Sequence, residues 1–412
     1  MLGESLGSVV EHSAYVYEFL HSNPETAGNE FLTAARFAME LRGAGCEVTE
    51  FIGGLGVIGV LHNGSGPKIL IRAELDGLAT SDATEQDFAS DQGVPTADCT
   101  PSSAIHSCGH DIHMAAAVGA ARYLAGRRDS WSGTLIFTGQ PAEETLEGAH
   151  RLLAEATVIG SADIALTQHV TPLPVGIVTL TDGQLTAWNQ DVEVLIFSRD
   201  GHNAYTNANP SAIDLLPAVL RCILVTASPG HRPSHLLSVG EIHGGTSPHT
   251  RPTQVRVLLS IRAPEMEQIE QGIADLKERL LDSGLPVSVR RGNITPPVVN
   301  DHDLTTELRS SFEATFGHAQ VVAGQPSMVV DDFSLFYSEA HIPSVMWMVG
   351  GTSVGTWNKL TGRTFREKLA NAPTNHESDF LPDPPATLKI CIAALCSAVQ
   401  SFAPHLVDGP HL

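Results

Sequence analysis

Two adjacent carboxylates, Glu143 and Glu144, follow the apolar stretch 134–137 after a short Thr-Gly-Gln-Pro-Ala link. The apolar stretch predicts a buried strand, and proline at 141 fixes a turn at its end. Two such carboxylates can divide the work of metal-dependent hydrolysis, because one can bind a divalent cation while the other takes a proton from water. The pair can also be read as the solvated start of a helix, where acidic side chains meet the helix dipole favourably.

Cysteine and histidine side chains that can bind transition metals lie on both sides of this pair. Cys108, His110 and His113 share one short segment before a predicted helix, and His169 and His376 follow downstream. Thiolate, imidazole and carboxylate donors suit zinc, manganese, cobalt or nickel. Each residue alone also has a plainer interpretation, since free cysteine is commonly a small buried hydrophobe. The convergence of several such groups is what favours a metal site.

The composition argues against several classes of partner. The 412 residues include 46 acidic and 24 basic side chains, a formal net charge of -22, without the Lys and Arg cluster that nucleic acid requires. The apolar runs 115–121 and 390–394 fall short of the roughly 20 residues of a membrane span. We therefore expect neither a nucleic-acid nor a membrane partner. Six sparse cysteines and an N-terminus without a signal-peptide pattern predict reduced thiols and a cytoplasmic location.

Strand and helix patterns alternate in the first half of the chain, as in α/β folds. The predicted helices there are 30–45 and 114–126, and the predicted strands are 68–72, 134–138 and 162–167. From about residue 187 the order becomes strand, helix, strand, strand, helix, strand, which is typical of a ferredoxin-like unit. A strand at 342–349 and a long helix at 385–403 close the chain.

These patterns predict two domains. The first is an α/β catalytic domain with a mixed sheet flanked by helices, formed by residues 1–186 and 298–412. The second is an inserted ferredoxin-like α+β domain, residues 187–297, which interrupts the first.

Short motifs spread over nearly the whole chain resemble those of the M20 family of metallopeptidases and amidohydrolases, in the branch of N-acyl-amino-acid and hippurate-type hydrolases. The matching motifs are His21-Ser-Asn-Pro-Glu25 with Glu30, Arg72-Ala-Glu-Leu-Asp76, His106-Ser-Cys-Gly-His-Asp-Ile-His113, Gln140-Pro-Ala-Glu-Glu144, Gln168-His-Val170, Gly201-His202, Gly244-Gly245, Asp332-Phe333 and Asn375-His376. The resemblance implies the same fold and a metal-dependent hydrolase.

The resemblance also implies roles for individual residues. The metal ligands, for one or two divalent ions per subunit with manganese or zinc expected before cobalt or nickel, would be Cys108, His110, Glu144, His169 and His376. Glu143 would be the general base. His202 matches a Gly-His motif that in related enzymes reaches a neighbouring active site, which implies a homodimer or higher homo-oligomer. A polar loop histidine is the other interpretation of His202.

Some positions depart from the family pattern where the substrate is expected. Glu74 stands where the family usually has aspartate, while His249 and Arg251 replace an asparagine and an aliphatic residue. Arg251 could clamp a substrate carboxylate, because guanidinium binds carboxylate through two parallel hydrogen bonds, or it could be a surface arginine. His249 and Arg251 are therefore candidate substrate-binding residues.

Taken together, the residues predict a metal-dependent hydrolase that cleaves the amide C–N bond of a small N-acyl amino acid or related conjugate. Two other hydrolases remain open: an aminohydrolase that removes ammonia from an aromatic amine or aminobenzoate-type acid, and a dipeptidase. A non-catalytic, metal-containing binding protein is a further alternative. The presence of Glu143 together with every candidate ligand argues against it.

Overall fold

A computed structural model describes residues 4–91, 93–95, 101–199, 201–202, 210–224 and 234–405. The chain folds into two compact units. The first comprises Met1–Leu185, Val299–Gln325 and Asp332–Leu412, and the second comprises Thr186–Val298 and Pro326–Asp331. The second unit thus interrupts the first along the chain.

In chain order, the described strands are β1 (Glu47–Ile52), β2 (Gly56–Asn63), β3 (Lys68–Glu74), β4 (Gly93–Pro95), β5 (Pro101–Ser103), β6 (Gly133–Gln140), β7 (Ile164–Pro174), β8 (Val178–Leu180), β9 (Gly183–Gln184), β10 (Trp188–Phe197), β11 (Gly201–His202), β12 (Leu236–Gly244), β13 (Thr250–Arg251), β14 (Gln254–Ala263), β15 (Val287–Thr295), β16 (Val299–Asn300), β17 (Val321–Ala323) and β18 (Ser344–Thr352). The described α-helices are α1 (Leu6–Ser22), α2 (Phe31–Gly43), α3 (His110–Ala125), α4 (Gly148–Glu155), α5 (Ala212–Ile223), α6 (Met266–Asp282), α7 (His302–Phe316), α8 (Ser334–Ser338), α9 (Val354–Lys359), α10 (Phe365–Leu369) and α11 (Pro384–Phe402).

A mixed eight-stranded sheet forms the centre of the first unit, in the order β1-β2-β6-β3-β7-β18-β8-β17. The strands β6, β3, β7 and β18 run parallel to one another, whereas β2 is antiparallel to both β1 and β6. The apolar run Ile69, Leu70 and Ile71 in β3 is fully buried, as expected for a parallel strand covered on both faces. The predicted α/β fold with a mixed sheet is confirmed.

Most of helix α3 is buried in the core of the first unit. All of its residues from 110 to 121 are buried, and it packs against α1, α2, α11 and β3. It begins at His110, four residues before the predicted start, because Gly109 adopts a left-handed conformation with φ of 93° directly before it. His110 and His113 are therefore held on a rigid element.

Helix α11 is long and apolar enough to cross a membrane by length and composition alone, and 56% of its apolar window is buried within the protein. It packs against α1, α3, α7 and β18, which a core helix also does. The sequence predicts this helix at 385–403, but its uninterrupted apolar run, 390–394, is too short to suggest a membrane span.

Strand β7 is longer than predicted. The sequence places its end near residue 167, but β7 continues to Pro174 because it pairs with β18 along its length, from Ala165 with Ser344 to Pro174 with Thr352. Its pairing with β3 is described only from Ile164 to Leu166. His169 thus lies within β7, beyond the point at which β3 pairs with it.

The second unit is a four-stranded antiparallel sheet, ordered β12-β14-β10-β15, with α5 and α6 packed against it. Alternate residues of β14 are buried, and α6 buries Ile269, Ile273, Leu276 and Leu280 at helical spacing. The order of elements along the chain is strand, helix, strand, strand, helix, strand. The predicted ferredoxin-like fold of this segment is confirmed.

Candidate active site

The two carboxylates lie in a tight turn between β6 and α4. Ala142 and Leu146 have φ values of 54° and 57°, in the left-handed region that side chains other than glycine rarely adopt. The turn closes through a hydrogen bond from the N–H of Leu146 to the carbonyl oxygen of Glu143 at 2.7 Å. Because α4 begins only at Gly148, the pair does not form the first turn of a helix.

Gly148 permits this turn to close against the end of β6. A Cβ atom at this position would lie 1.6 Å from the carbonyl oxygen of Pro141, which no side chain can tolerate. The N–H of Gly148 donates to the carbonyl oxygen of Ala142 at 3.2 Å. The backbone around Glu143 and Glu144 is therefore fixed by close packing as well as by hydrogen bonds.

Gly109 brings the Cys108 segment against β7. A Cβ atom on Gly109 would lie 2.1 Å from Cγ1 of Val170, and the left-handed backbone also favours glycine there. The approach leaves Sγ of Cys108 3.4 Å from Nε2 of His169. Two candidate ligands separated by 61 residues thus become neighbours.

Asn375 joins the His376 segment to the same place. Its Nδ2 donates to the carbonyl oxygens of Cys108 at 2.8 Å and Val170 at 3.1 Å. The next residue, His376, has a φ of 74° and places Nε2 3.4 Å from Oε1 of Glu144. His376 is exposed, whereas Cys108 is buried.

His110 lies between Asp76 and Glu143. Its Nδ1 is 2.8 Å from the carbonyl oxygen of Asp76, and its Nε2 is 3.7 Å from Oε2 of Glu143. Since a carbonyl oxygen only accepts, Nδ1 carries the proton and Nε2 is the atom available to the site. Burial opposes the charged ring, but Asp76, Glu74 and Glu144 outweigh it and raise the pKa of His110 to about 10, so that a cation bound at Nε2 would replace a second ring proton there.

The candidate ligand atoms form three overlapping groups, each with all atoms within 4.8 Å of one another. The groups are Cys108, His110 and His169; Cys108, Glu144 and His376; and His110, Glu143 and Glu144. The structure therefore brings together Glu143 and all five residues predicted to bind metal. Their individual roles stay predictions.

These residues fit a divalent metal ion. Ligand bonds of about 2.0 Å to nitrogen and 2.3 Å to sulfur at a tetrahedral angle would separate those two atoms by about 3.5 Å, close to the 3.4 Å between Cys108 and His169. Among the described residues, Nε2 of His110 has no hydrogen-bond partner. Burial and the charges of Glu144 and Glu143 raise the pKa of the Cys108 thiol far above its usual range, and a bound cation would reverse that effect.

Glu74 is fully buried between Arg72 and His113. Its Oε2 lies 2.7 Å from Nδ1 of His113, and its other oxygen pairs with Arg72, which also binds Asp332 at 2.9 Å. Burial opposes ionisation of Glu74, but Arg72 and His113 hold its pKa well below the usual range. The longer side chain at this position reaches Arg72 and His113 at once.

His113 positions the strand that carries His169. Its Nε2 accepts the N–H of Val170 at 2.9 Å, while Nδ1 faces Glu74. His113 also falls in a group with Glu74 and His110 that could hold a metal ion. Because both of its ring nitrogens are already hydrogen-bonded, we assign His113 to support of the backbone.

His21 is another buried histidine, and the sequence predicted no role for it. Its Nδ1 lies 2.7 Å from Oδ2 of Asp111, and its Nε2 lies 3.3 Å from Oδ2 of Asp82. Burial opposes the charged ring, but Asp111 and Asp82 outweigh it and raise the pKa of His21 to about 9. The charged ring therefore fixes the residue that follows His110.

Asp76 ends the motif Arg72-Ala-Glu-Leu-Asp76, but the sequence predicted no role for it. Its Oδ2 accepts the N–H of Glu144 at 2.9 Å, in addition to the contact of its carbonyl oxygen with His110. Its position two residues after β3 is the signal that could have identified it, since α/β enzymes place functional groups at the carboxyl ends of strands.

The remaining candidates lie in the second unit. His202 pairs with Thr250 in the short β11–β13 ladder, and the side chain of His202 lies outside the described part of the structure. His249 is exposed. Arg251 forms an ion pair with Asp214 at 3.3 Å, so a substrate carboxylate would compete with that partner. The roles of His202, His249 and Arg251 stay predictions.

Comparison with known proteins places this geometry in context. Residues 70–367 match the model of the peptidase family M20/M25/M40. The chain is 31% identical over 370 residues to a probable hydrolase of Synechocystis sp., covering 87% of each chain. It is 29% identical to N-acetyl-L-cysteine deacetylase of Bacillus subtilis, covering 82% of this chain and 80% of that one. A solved structure of a dinuclear metal-binding peptidase from the M20 family, also of Bacillus subtilis, has a TM-score of 0.69 at 23% identity, over 96% of this chain and 99% of that one.

Proposed function

Because the chain belongs to the peptidase family M20/M25/M40, whose members are metal-dependent hydrolases of amide or peptide bonds, we propose that it hydrolyses the amide bond of a small N-acyl amino acid with Glu143 as general base. The observation that carries the proposal is the position of Glu143. The residue is buried, with 6% of its surface exposed, and its Oε2 lies 3.7 Å from Nε2 of His110.

Cys108, His110, Glu144, His169 and His376 would hold the divalent metal. Two of the overlapping ligand groups share Cys108, which supports two ions per subunit, with manganese or zinc as the proposed metal. When bound, such an ion supplies a Lewis acid that polarises the scissile carbonyl and makes water more acidic.

Glu143 has the position and chemistry of the proton carrier. It would take a proton from the attacking water and return it to the departing nitrogen, so that the amide C–N bond breaks to a carboxylic acid and an amine. Glu144 follows it in the turn and shares His110 as a neighbour, but the side chain of Glu144 also lies beside Cys108 and His376. This second set of neighbours supports a division between proton transfer by Glu143 and metal binding by Glu144.

The N-acyl amino acid is proposed as substrate because N-acetyl-L-cysteine deacetylase is among the relatives that match most of the chain. Arg251 is proposed to bind the substrate carboxylate, and His202 to assist in a cytoplasmic homodimer. Activity of Arg251→Ala on free-acid and amidated substrates tests the first point. An equal loss on both substrates would reject a carboxylate contact.

The reaction is tested with protein reconstituted with manganese or zinc and offered N-acyl amino acids, dipeptides and aminobenzoates, with products identified by mass spectrometry. We expect a carboxylic acid and a free amino acid from the first class. Release of ammonia from an aminobenzoate without amide cleavage would favour the aminohydrolase alternative instead.

Glu143→Gln tests the general base. We expect unchanged metal content and a turnover lower by about 10²- to 10⁴-fold, the range for removal of a general base. Glu147→Gln is the matched control, because Glu147 follows the same turn but is only half-buried and pairs with Arg151. Normal turnover by Glu143→Gln would remove Glu143 from the mechanism.

A further inference from the structure

We infer that Glu30 is a positioning residue for Glu143, which it holds through the backbone N–H of Ala142. Glu30 directly precedes α2, 112 residues before Ala142. It touches neither of the paired carboxylates in its described hydrogen bonds. The inference rests on the proposed role of Glu143 as general base.

The contacts of Glu30 join two distant backbone segments. Its Oε1 accepts the N–H of Ala142 at 2.8 Å and the N–H of Gly28 at 2.9 Å. The carboxylate is fully buried, with 0% of the residue exposed. Because this contact is buried, breaking it would leave the N–H of Ala142 without a partner away from water, so the contact holds the start of the turn firmly.

The side chain of Glu30 does not cap the helix that the residue precedes. It occupies the N-cap position of α2 but makes no side-chain hydrogen bond to the helix start. That task falls to Glu25, whose Oε2 accepts the N–H of Thr33 at 2.8 Å. Of the two carboxylates beside the start of α2, Glu25 therefore binds the helix, whereas Glu30 binds the turn at Ala142.

Ala142 needs such an anchor. Its φ of 54° places a residue with a Cβ atom in the left-handed region, which costs energy unless the surroundings enforce it. The N–H of the residue after Glu143 is anchored in the same way, since Glu144 donates to Oδ2 of Asp76 at 2.9 Å. Buried carboxylates thus hold the backbone on both sides of Glu143.

The first test compares Glu30→Ala with Glu25→Ala in metal-loaded protein. We expect kcat of Glu30→Ala to fall by about 10- to 100-fold, because a displacement of about 1 Å of a catalytic group can cost that much, with KM changed by less than about threefold. Glu25→Ala removes an equally close contact with α2 and should lower thermal stability without lowering kcat. Parallel losses of kcat in the two variants would overturn the inference.

The second test relieves the strain that Glu30 is inferred to oppose. Glycine adopts the left-handed conformation without a steric cost, so Ala142→Gly should reduce the dependence of the turn on Glu30. We expect Glu30→Ala to lower kcat by less than about threefold in the Ala142→Gly background. The same fold loss in both backgrounds would show that Glu30 does not act through Ala142.

Two conservative variants keep the inference testable if Glu30→Ala does not fold. Glu30→Gln keeps the length and an acceptor oxygen, whereas Glu30→Asp keeps the charge but is one methylene shorter. Positioning through a hydrogen bond requires Glu30→Gln to retain the higher kcat. A more active Glu30→Asp would contradict it.

Amide hydrogen exchange gives a readout that does not depend on turnover. Peptides containing residues 142–148 should exchange faster in Glu30→Ala than in the parent or in Glu25→Ala. Faster exchange with unchanged kcat would overturn the positioning role, even where Glu143→Gln is inactive. An active Glu143→Gln would instead reject the proposed general base, and exchange would still show whether Glu30 holds the turn.

Discussion

The backbone carbonyl oxygen of Asp76 lies 2.8 Å from Nδ1 of His110, and this contact leaves Nε2 of the same ring facing Glu143. The side chain of Asp76 also accepts the N–H of Glu144 at 2.9 Å. Asp76, two residues after the end of β3, therefore orients two candidate ligands. One is His110 at the start of α3, and the other is Glu144 in the turn after β6.

Asp76→Ala should lower metal affinity by about 10- to 100-fold, the usual effect of removing a group that orients metal ligands. Titration of the metal-free variant with manganese or zinc measures this directly. Asp163→Ala is the control, because Asp163 also accepts a backbone N–H at 2.8 Å, from Lys68 at the opposite end of β3. Equal metal affinity in both variants would mean that the side chain of Asp76 does not orient Glu144, since the carbonyl oxygen that contacts His110 is kept in Asp76→Ala.

Gly109→Ala should be more damaging than Gly45→Ala, although both glycines have left-handed backbones with φ near 90°. A Cβ atom at Gly45 meets no atom within 4 Å, so the variant should lose about 1–2 kcal/mol from backbone strain alone. In Gly109→Ala the clash with Val170 should increase the loss of stability by a further amount of about 1–3 kcal/mol. It should also reduce the amount of bound metal.

Urea unfolding and metal analysis of the two glycine variants provide the measurement. Val170→Ala in the Gly109→Ala background should recover part of the lost stability, since it removes the atom in collision. If Val170→Ala recovered no stability, the damage done by Gly109→Ala would come from its backbone conformation rather than from packing against β7.

Glu74→Ala should lower the free energy of unfolding by about 3–5 kcal/mol, because it removes one of the two carboxylates that balance the buried charge of Arg72 and also takes the carboxylate partner from His113. Glu50→Ala removes an ion pair with Arg42 that is much more exposed, and should cost less than about 1 kcal/mol. Denaturant titrations of both variants at neutral pH make the comparison. A similar cost for the two would show that burial does not strengthen the dependence on Glu74.

His21 should make stability depend on pH. Its pKa of about 9 in the folded protein lies above the unfolded value of about 6.5, so its contribution is complete below pH 6.5 and is lost as pH rises through about 9. At about 1.4 kcal/mol per pKa unit, this difference corresponds to roughly 3 kcal/mol. The charged groups that face the ring are Asp111 and Asp82, and the hydroxyl of Tyr17 lies 3.4 Å from Nδ1.

Unfolding of the parent and of His21→Gln at pH 6 and pH 10 checks this expectation. The parent should be clearly more stable than the variant at pH 6 and only slightly more stable at pH 10. His302→Gln is the control, since His302 also pairs with an aspartate, Asp182, but at an exposed position. A stability difference for His21→Gln that stays constant with pH would show that the ring is not charged.

The elements of both units could be predicted because their apolar residues recur at the spacing of a strand or a helix. The ferredoxin-like unit is the clearest case, since β14 alternates buried and exposed residues and α6 buries one stripe. The end of β7 was missed because its pairing with β18 extends it through two prolines. Pairing between distant strands is a tertiary effect that local residue preference does not contain.

The candidate ligands could be grouped from their chemistry and from motif order, whereas the residues that orient them could not. Asp76 acts on His110 through a backbone carbonyl oxygen, which every residue type possesses. Glu30 reaches Ala142 only because the fold brings them together, and the left-handed conformation of an alanine has no signature in residue type. Such contacts become visible only once the backbone is placed.

The position of β18 in the central sheet has a consequence for synthesis on the ribosome. β18 lies between β7 and β8, yet it follows both in the chain, after the whole inserted unit. Until Ser344–Thr352 has been translated, a nascent chain exposes the unpaired edges of β7 and β8, which are templates for pairing with other chains. His376 emerges later still. During translation there is therefore a long interval in which most of the chain has been made but β7 and β8 are not yet joined by β18. In the same interval the metal site lacks His376, one of its proposed ligands.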